Sequence, residues 1–295
     1  MAAVFGLGTV QFGQNYGISN RTGRIDPAQV ARILEEAIRD GIDLLDTAAC
    51  YGESEAVLGT YDLRPFRVVT KTPRFNGQAI TEMHAHALNE TFQRSLSHLK
   101  LDSVYGLMCH DADDLLASGG ARLYEAMAQL KADGLVEKIG VSVYERSQID
   151  ALIERYPLDL VQLPVNVLDQ RLIRGGQIKR LKACGTEVHA RSAFLQGLLL
   201  MDPEATPTYF TPVRPLLHKW HSAAADAGLM PLEAALAFVR NTLGIDAVIV
   251  GVTSVTEFLA CKQAMRVTKC FDATGLACDE PIFVNPSNWK QYIDR

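Results

Sequence analysis

Short apolar stretches rich in β-branched residues recur along the whole chain, and each has the length of a single strand. Between them lie longer segments with helical spacing of apolar residues, as at Val30, Ile33, Leu34 and Ala37. The pattern therefore predicts alternating strands and helices. The eight predicted strands are VFGLGT (4–9), IDLLDT (42–47), RVVTKT (67–72), SVYGLMCH (103–110), EKIGVS (137–142), LDLVQL (158–163), TEVHARS (186–192) and DAVIVG (246–251).

Strands that are apolar on both faces and joined through helices form parallel sheets with covered faces. Eight of them predict a single α/β domain over residues 1–295, a (β/α)8 TIM barrel. An open doubly wound sheet is the competing architecture, but no Pro/Gly/Ser-rich linker marks the domain break that it would need. We also expect an extra helix after strand seven, around 215–227. Residues 271–295 are predicted to form a C-terminal tail over the barrel, near the substrate pocket.

Helix boundaries agree with this division of the chain. Asp26 precedes Pro27, which pairs a capping side chain with a proline suited to the first helical turn, and Gly41 ends that helix. Pro231 likewise opens a helix that is expected to run to about Leu243.

Composition narrows the class of protein. The 295 residues carry 29 basic and 34 acidic side chains, a net charge of −5, with 48% hydrophobic and 21% charged residues. This balance predicts a soluble globular chain and excludes a disordered protein or a strongly basic nucleic-acid binder. No apolar run approaches the length of a membrane span, and the first residues lack the pattern of a secretory signal.

The six cysteines are scattered without a C-x-x-C pair, which argues against a zinc site and favours a reduced, cytoplasmic chain. Two further motifs carry little weight. Gly6-Leu7-Gly8 lacks the third glycine of a dinucleotide fingerprint, and His84 and His86 are too closely spaced on a helix to bind one metal ion.

Polar residues that close apolar runs are the most informative, because the chemistry of a TIM barrel lies at the carboxyl ends of its strands. Asp46, Lys71 and His110 each end a predicted strand, and Tyr51 follows Asp46 in the same loop. Taken singly, each has an ordinary explanation: a solvated lysine, a helix-capping aspartate, or a histidine that satisfies backbone groups.

Together these four residues describe a device for proton transfer. A buried lysine needs a carboxylate, and an ammonium beside a tyrosine favours its phenolate. Lowering a tyrosine pKa from about 10 by about two to three takes roughly 3 to 4 kcal/mol of charge interaction, which one close ammonium can supply. His110 could polarise a carbonyl oxygen through a neutral N–H. None of these groups supplies a hydride, so a cofactor must.

At these residues the chain resembles the aldo-keto reductase superfamily. DTAACYGESE (46–55) is the strongest match, followed at similar distances by Lys71 and His110, while GVSVY (140–144), VQLPVNVLDQR (161–171) and SAFLQGLL (192–199) are similar to later motifs. The resemblance implies NAD(P)-dependent reduction of an aldehyde or ketone, or the reverse, without metal or flavin. It makes Tyr51 the general acid/base, with Lys71, Asp46 and His110 completing the catalytic set.

The resemblance also implies a set of cofactor contacts, although Val143 replaces the usual asparagine beside Ser142. Arg191 stands where many members place a tyrosine against the nicotinamide ring, and an arginine plane can also stack there. Asn166 matches an asparagine near the nicotinamide. The cofactor-binding residues expected in this way are Thr9, Asp46, Ser142, Gln162, Arg191, Ser192, Phe194, Gln196, Gly251, Thr253 and Glu257.

The segment after strand eight favours NAD(H) over NADP(H). Members that prefer NADP carry a basic residue there for the 2′-phosphate, whereas residues 251–261 contain none and Glu257 lies near the expected cationic position.

The substrate is expected to be a small carbonyl compound or alcohol, with Phe12, Tyr16, Cys50 and Asp111 lining its pocket. Asp111 replaces an aromatic residue of some members and favours a hydroxylated, sugar-like compound. No nucleic-acid or membrane partner is expected. A protein that senses nicotinamide nucleotides with little turnover is the alternative function that the altered Val143 and Arg191 positions leave open.

Overall fold

The computed structural model describes residues 2–289 and contains eight parallel strands closed into a barrel in sequence order, with β8 paired to β1. The predicted (β/α)8 barrel is thereby confirmed. The strands are β1 (Val4–Gly8), β2 (Leu44–Asp46), β3 (Arg67–Lys71), β4 (Val104–Cys109), β5 (Val136–Ser142), β6 (Leu160–Pro164), β7 (Glu187–Arg191) and β8 (Ala247–Gly251).

Helices follow the strands around the barrel. Asp26 accepts a hydrogen bond from the Ala28 amide and so caps the helix that starts at Pro27, as the sequence predicts. The helices are α1 (Val10–Gly13), α2 (Pro27–Arg39), α3 (Ser54–Leu58), α4 (Glu82–Leu99), α5 (Ala112–Leu116), α6 (Ala121–Ala132), α7 (Arg146–Arg155), α8 (Arg171–Arg174), α9 (Gln177–Ala183), α10 (Arg214–Asp226), α11 (Pro231–Asn241), α12 (Val255–Ala264) and α13 (Pro281–Val284).

Side chains from several strands fill the interior of the barrel. Leu44, Val69, Met108, Leu160 and Ile249 form one buried cluster there. Gly6 leaves the space that this cluster needs, because a Cβ atom at Gly6 would lie 2.6 Å from Cδ1 of Ile249. A larger cluster lies between the strands and the helices. The carboxyl ends of the strands therefore rest on a closely packed interior.

Charged residues close the opposite, amino end of the barrel. Glu187 accepts hydrogen bonds from the Tyr105 hydroxyl at 2.6 Å and from Nε2 of His189 at 2.7 Å, and it also pairs with Lys138. We call Glu187, Tyr105, Lys138 and His189 the amino-end cluster. Several donors in this cluster bind the Glu187 carboxylate, as a poorly hydrated charge requires.

A second, smaller core covers one side of the barrel. The segment after β7 contains α10, which begins and ends within one residue of the expected 215–227. Phe210 and Trp220 are fully buried in this core, so these aromatic side chains pack the segment. Nε1 of Trp220 donates to the Leu199 carbonyl at 2.9 Å.

The C-terminal tail packs on this second core. The ring of Trp289 lies 4.9 Å from that of Phe210, and the Cys278 amide donates to the Leu168 carbonyl at 2.8 Å. Residues 290–295 of the expected tail lie outside the described residues. The expectation that residues 271–295 lie near the substrate pocket stays a prediction.

Within residues 2–289, no single helix is long and apolar enough to cross a bilayer. One pair of helical segments, Thr208–Asp226 and Pro231–Asn241, meets that test only when joined across a bend of 88°.

Candidate active site

The four strand-end residues meet at the carboxyl end of the barrel. Asp46 ends β2, Lys71 ends β3, His110 directly follows β4, and Tyr51 lies in the loop between β2 and α3. Because β2, β3 and β4 are consecutive neighbours in the barrel, their ends stand side by side. The topology thus brings together the residues that the sequence singled out.

Lys71 and Asp46 form a buried ion pair. Nζ of Lys71 lies 2.8 Å from both carboxylate oxygens of Asp46, and it also donates to the Thr47 carbonyl at 2.8 Å. The Lys71 side chain is only 1% exposed. Gln162, at the end of β6, donates from Nε2 to Oδ1 of Asp46 at 2.7 Å. The carboxylate is therefore held by donors from two strands.

Tyr51 lies against this pair. The ammonium of Lys71 is 4.7 Å from the centre of the Tyr51 ring, and the ring meets that of His110 edge-on at 5.8 Å between centres. Contrary to the expectation from the sequence, burial raises the pKa of Tyr51 well above its usual value, and the Asp46 charge raises it further. The reason is that Asp46 offsets the Lys71 charge, so desolvation of the phenolate dominates.

His110 is neutral and both of its ring nitrogens have partners. Nδ1 lies 3.1 Å from Sγ of Cys50, and Nε2 lies 2.8 Å from Nη2 of Arg74. Burial lowers the pKa of His110 to about 2, and the nearby Lys71 and Arg74 charges act in the same direction. A guanidinium only donates, so Nε2 accepts from Arg74 and the neutral ring carries its hydrogen on Nδ1. In this arrangement the N–H of the neutral ring therefore faces Cys50.

A buried hydroxyl network positions the Tyr51 loop. Thr9 Oγ1 donates to the Asp46 carbonyl at 3.0 Å and lies 2.9 Å from Ser54 Oγ, which donates to the Thr9 carbonyl at 2.8 Å. Gly13 allows the loop to approach, because a Cβ atom there would lie 1.8 Å from the Tyr51 carbonyl oxygen. Thr9 is completely buried. Its observed role is therefore to support the loop that carries Tyr51.

The residues that are expected to contact the nicotinamide lie at the ends of β5 to β7 or directly after them. Ser142 and Gln162 are register partners on β5 and β6. The Arg191 guanidinium lies 4.0 Å from the centre of the Tyr144 ring and donates from Nη2 to the Val143 carbonyl at 2.9 Å. Asn166 donates from Nδ2 to the Ser192 carbonyl at 3.1 Å. Arg191 thus has a fixed stacking position, and Asn166 links the loops after β6 and β7.

The turn after β7 has an unusual backbone. Ser192, Leu195, Gln196 and Gly197 adopt φ values of 62°, 50°, 54° and 94°. A branched residue such as leucine rarely adopts positive φ, and such strain concentrates at ligand sites. Turns that combine right-handed and left-handed residues can direct successive backbone amides toward an anion. The expected Ser192, Phe194 and Gln196 all lie in this turn.

The ends of β1 and β8 offer a further polar atom. Oε1 of Gln11 is buried without a hydrogen-bond partner among the described residues. A Cβ atom at Gly251 would lie 2.5 Å from that oxygen, so glycine at the end of β8 allows the Gln11 side chain of α1 to approach. The lining of this face fits a nicotinamide dinucleotide, because it combines an unpaired buried acceptor, a strained turn and adjacent polar strand ends.

The segment after β8 is capped by acidic and hydroxyl groups. Oε2 of Glu257 accepts from the Thr253 amide at 2.6 Å, and Ser254 Oγ accepts from the Glu257 amide at 3.1 Å. Lys262, the first basic residue of this region, is paired with Asp40. The start of α12 therefore presents the Glu257 carboxylate, which forms no ion pair within residues 2–289.

The four expected substrate residues occupy different environments. Phe12 is fully buried in the main core. Tyr16 accepts a hydrogen bond from Nε2 of Gln196 at 3.2 Å, and Cys50 contacts His110. Asp111 accepts from the Asp113 amide at 3.1 Å and so caps α5. The Cys50 side chain thus directly contacts one of the four catalytic candidates.

Arg74 contacts His110 but was not predicted from the sequence. It follows the strand motif in an irregular loop, and no periodic pattern points to it. Tyr144, which stacks on Arg191, was also missed. Metal-ligand clusters of three or more His, Cys, Asp or Glu side chains do not occur within residues 2–289.

Comparison with known proteins gives a consistent family. A sequence model of the Aldo/keto reductase family matches residues 4–272. L-galactose dehydrogenase of Arabidopsis thaliana is 27% identical over 245 residues, which cover 76% of this chain and 74% of that protein.

Solved structures share the fold. An aldo-keto reductase from Bacillus halodurans superposes with a TM-score of 0.70 at 20% identity, covering 90% of this chain and 88% of the other. The glycerol dehydrogenase of Gluconobacter oxydans gives a TM-score of 0.70 at 20% identity, covering 89% and 86% of the two chains. The barrel, the strand-end residues and the match across residues 4–272 agree: the chain belongs to the aldo/keto reductase family, whose members are NAD(P)-dependent oxidoreductases.

Proposed function

We propose that the protein reduces an aldehyde or ketone to an alcohol, or catalyses the reverse reaction, with Tyr51 as the general acid/base. The observation that carries this proposal is the position of Tyr51 against the buried Lys71–Asp46 pair, with Lys71 Nζ 4.7 Å from the phenol ring. Such a phenol is the proton donor that a carbonyl oxygen needs as it becomes an alcohol.

The raised pKa of Tyr51 suits the reductive direction. At neutral pH the phenol keeps its proton and can give it to the carbonyl oxygen of a bound substrate. Lys71 then stabilises the phenolate that remains, and Asp46 keeps Lys71 in place. A bound nicotinamide dinucleotide supplies the hydride.

Residues at the ends of β5 to β8 are proposed to bind that cofactor. Ser142 and Gln162 would hold the nicotinamide amide, and Arg191 would lie against the ring. The strained turn at Ser192, Phe194 and Gln196 would receive the pyrophosphate, which successive backbone amides can bind.

The adenosine end supports a preference for NAD(H). Glu257 occupies the start of α12 and binds the Thr253 amide, while Lys262 is neutralised by Asp40. A carboxylate in this position repels a 2′-phosphate and can accept a hydrogen bond from a ribose hydroxyl. Gly251, Thr253 and Glu257 would thus face the adenosine ribose.

The substrate side of the site is proposed to include Tyr16, Cys50 and Asp111, with Phe12 supporting the pocket from the core. Hydroxylated aldehydes are the compounds that we expect this polar surface to accept. Among its relatives, the names of the L-galactose and glycerol dehydrogenases are consistent with polyhydroxylated substrates.

The test compares the wild-type protein with Tyr51→Phe on a panel of aldehydes and ketones, with NADH or NADPH, and follows oxidation of the reduced nucleotide. We expect wild-type turnover and a loss in kcat of about 10²- to 10⁴-fold in Tyr51→Phe, the usual contribution of a general acid.

Tyr124→Phe is the matched control, because its hydroxyl donates to the Pro157 carbonyl on the outer surface. It should keep wild-type activity. Nucleotide binding without turnover on any compound would replace the proposal with the nucleotide-sensing alternative. Equal activity of Tyr51→Phe and wild type would remove Tyr51 from the mechanism.

A further inference from the structure

Arg74 is an exposed cation in direct contact with the site. It lies in the loop between β3 and α4, and its Nη2 atom is 2.8 Å from Nε2 of His110. Its charge also reaches Cys50, whose thiol it helps to acidify against the effect of burial. Arg74 therefore lies beside the substrate face of the four catalytic candidates.

The loop that carries Arg74 is anchored on both sides. Asp114 accepts hydrogen bonds from the Phe75 and Gly77 amides, both at 2.8 Å. Before Arg74, the Thr72 hydroxyl accepts from the His110 amide at 3.2 Å. The backbone of Arg74 is thus fixed relative to His110. Such anchoring lowers the entropy that a ligand-binding side chain loses on binding.

The positive charge of Arg74 has no carboxylate partner within residues 2–289. Its side chain contacts the neutral His110, whereas the charge of Lys71 is balanced by Asp46. Two acidic residues next to His110 and this loop are already engaged: Asp111 caps α5, and Asp114 binds the two loop amides. Arg191, at the end of β7, also lacks an ion pair among the described residues.

We propose that Arg74 binds an oxyanion on the substrate, so that the preferred substrates are aldehydes or ketones that also carry a carboxylate or phosphate. This inference rests on the proposed function. A guanidinium binds a carboxylate or a phosphate through paired N–H donors. The contact with His110 occupies only one nitrogen of the Arg74 guanidinium. His110 acts here as a positioning residue, because its Nε2 accepts from Arg74 and holds the guanidinium at the pocket.

Matched substrate pairs test this proposal. D-glucuronate is compared with D-glucose, and D-glyceraldehyde 3-phosphate with D-glyceraldehyde, so that each pair differs mainly in the anionic group. We expect kcat/KM to be about tenfold or more higher for the charged member of at least one pair, and the pair that responds identifies carboxylate or phosphate as the recognised group.

Arg74→Gln should lower kcat/KM for that charged compound, mainly through KM, by about tenfold or more beyond any change for the neutral compound. Arg74→Lys should retain part of the preference, because it keeps the charge and loses the paired donors. Arg122→Gln is the control: it removes an exposed arginine that pairs with Glu82, and it should leave both values unchanged.

If Arg74→Gln does not fold, inhibition of the wild-type protein gives the same information. Succinate should compete with the substrate, whereas succinamide at equal concentration should not. Equal kcat/KM within both pairs, or equal inhibition by succinate and succinamide, overturns the role of Arg74. Turnover of the neutral compounds in that case leaves the proposed reductase function standing, whereas absence of turnover on every carbonyl compound overturns the proposed function itself.

Discussion

Nε2 of Gln162 lies 2.7 Å from Oδ1 of Asp46, and this hydrogen bond joins β6 to β2 across the mouth of the barrel. The two residues are far apart in the sequence, and Gln162 was expected only at the nicotinamide. Its position gives it a second task, which is to hold the carboxylate that neutralises Lys71.

Gln162→Leu should therefore destabilise the protein as well as weaken cofactor binding. The loss of one hydrogen-bond donor to a buried carboxylate should lower the free energy of unfolding by about 1.5 to 3 kcal/mol, the range for hydrogen bonds to charged groups. Urea unfolding measures this loss. Gln129→Leu is the control, because its amide donates to Asp133 on the surface. A free energy of unfolding unchanged by Gln162→Leu would contradict the structural role of this bond.

The pH dependence of the reaction should differ between its two directions. Burial places the pKa of Tyr51 above its usual value of 10.0. Reduction needs the protonated phenol, so its kcat/KM should show no loss from this group up to about pH 9. Oxidation needs the phenolate, so its kcat/KM should still be rising at pH 9.

Profiles of kcat/KM measured in both directions test this difference, since they report the free enzyme. The same profiles for His110→Asn serve as a check, because the low pKa of His110 predicts no inflection between pH 5 and 8 from this residue. A reductive profile that falls by half near pH 7 in the wild-type protein would show an acidified phenol instead.

The amino-end cluster should contribute to stability in a pH-dependent way. Hydrogen bonds from His189, Lys138 and Tyr105 lower the pKa of Glu187 below its ordinary value of 4.5, despite burial. As pH falls, the Glu187 carboxylate is protonated at a higher pH in the unfolded chain than in the folded protein. Its stabilising effect is therefore complete above about pH 5 and is lost as pH falls through the lower pKa of the folded protein.

Glu187→Gln should thus lower the free energy of unfolding at pH 7 by about 1.5 to 3 kcal/mol and should flatten its fall between pH 5 and 3. Urea unfolding at several pH values measures both effects. Glu82→Gln, at an exposed ion pair, is the matched control. Catalytic activity should not change in either variant, because the site lies at the other end of the barrel.

Glu257 should influence the choice of nucleotide. Glu257→Lys replaces the carboxylate at the start of α12 with a cation, which favours a 2′-phosphate. We expect kcat/KM with NADPH relative to NADH to rise by about tenfold, as one charge-assisted contact allows. Glu280→Lys, in the C-terminal tail, controls for the general change in charge. A wild-type preference for NADPH of tenfold or more would contradict the assignment.

The sequence was sufficient for the barrel because every strand is a local apolar run with a recognisable end. It was also sufficient to single out Asp46, Lys71 and His110, since a polar residue that closes such a run is visible without coordinates, and Tyr51 through its place in the loop after Asp46.

Contacts between residues that are far apart in the sequence could not be predicted from these local patterns. Arg74 reaches His110 because Asp114, on α5 after the next strand, fixes its loop. The direction of the Tyr51 pKa depends on burial and on Asp46 offsetting Lys71, and neither quantity is encoded in residue spacing. The left-handed turn at Leu195 likewise has no glycine at that position to announce it.

The amino-end cluster and the Tyr51 site occupy opposite mouths of one barrel. No side chain of the cluster around Glu187 belongs to the site, so tolerance to heat and acid can be adjusted at one mouth while selectivity is altered at the other. That separation makes the chain a practical starting point for directed evolution, because loop libraries can be built around Arg74 without weakening the opposite end.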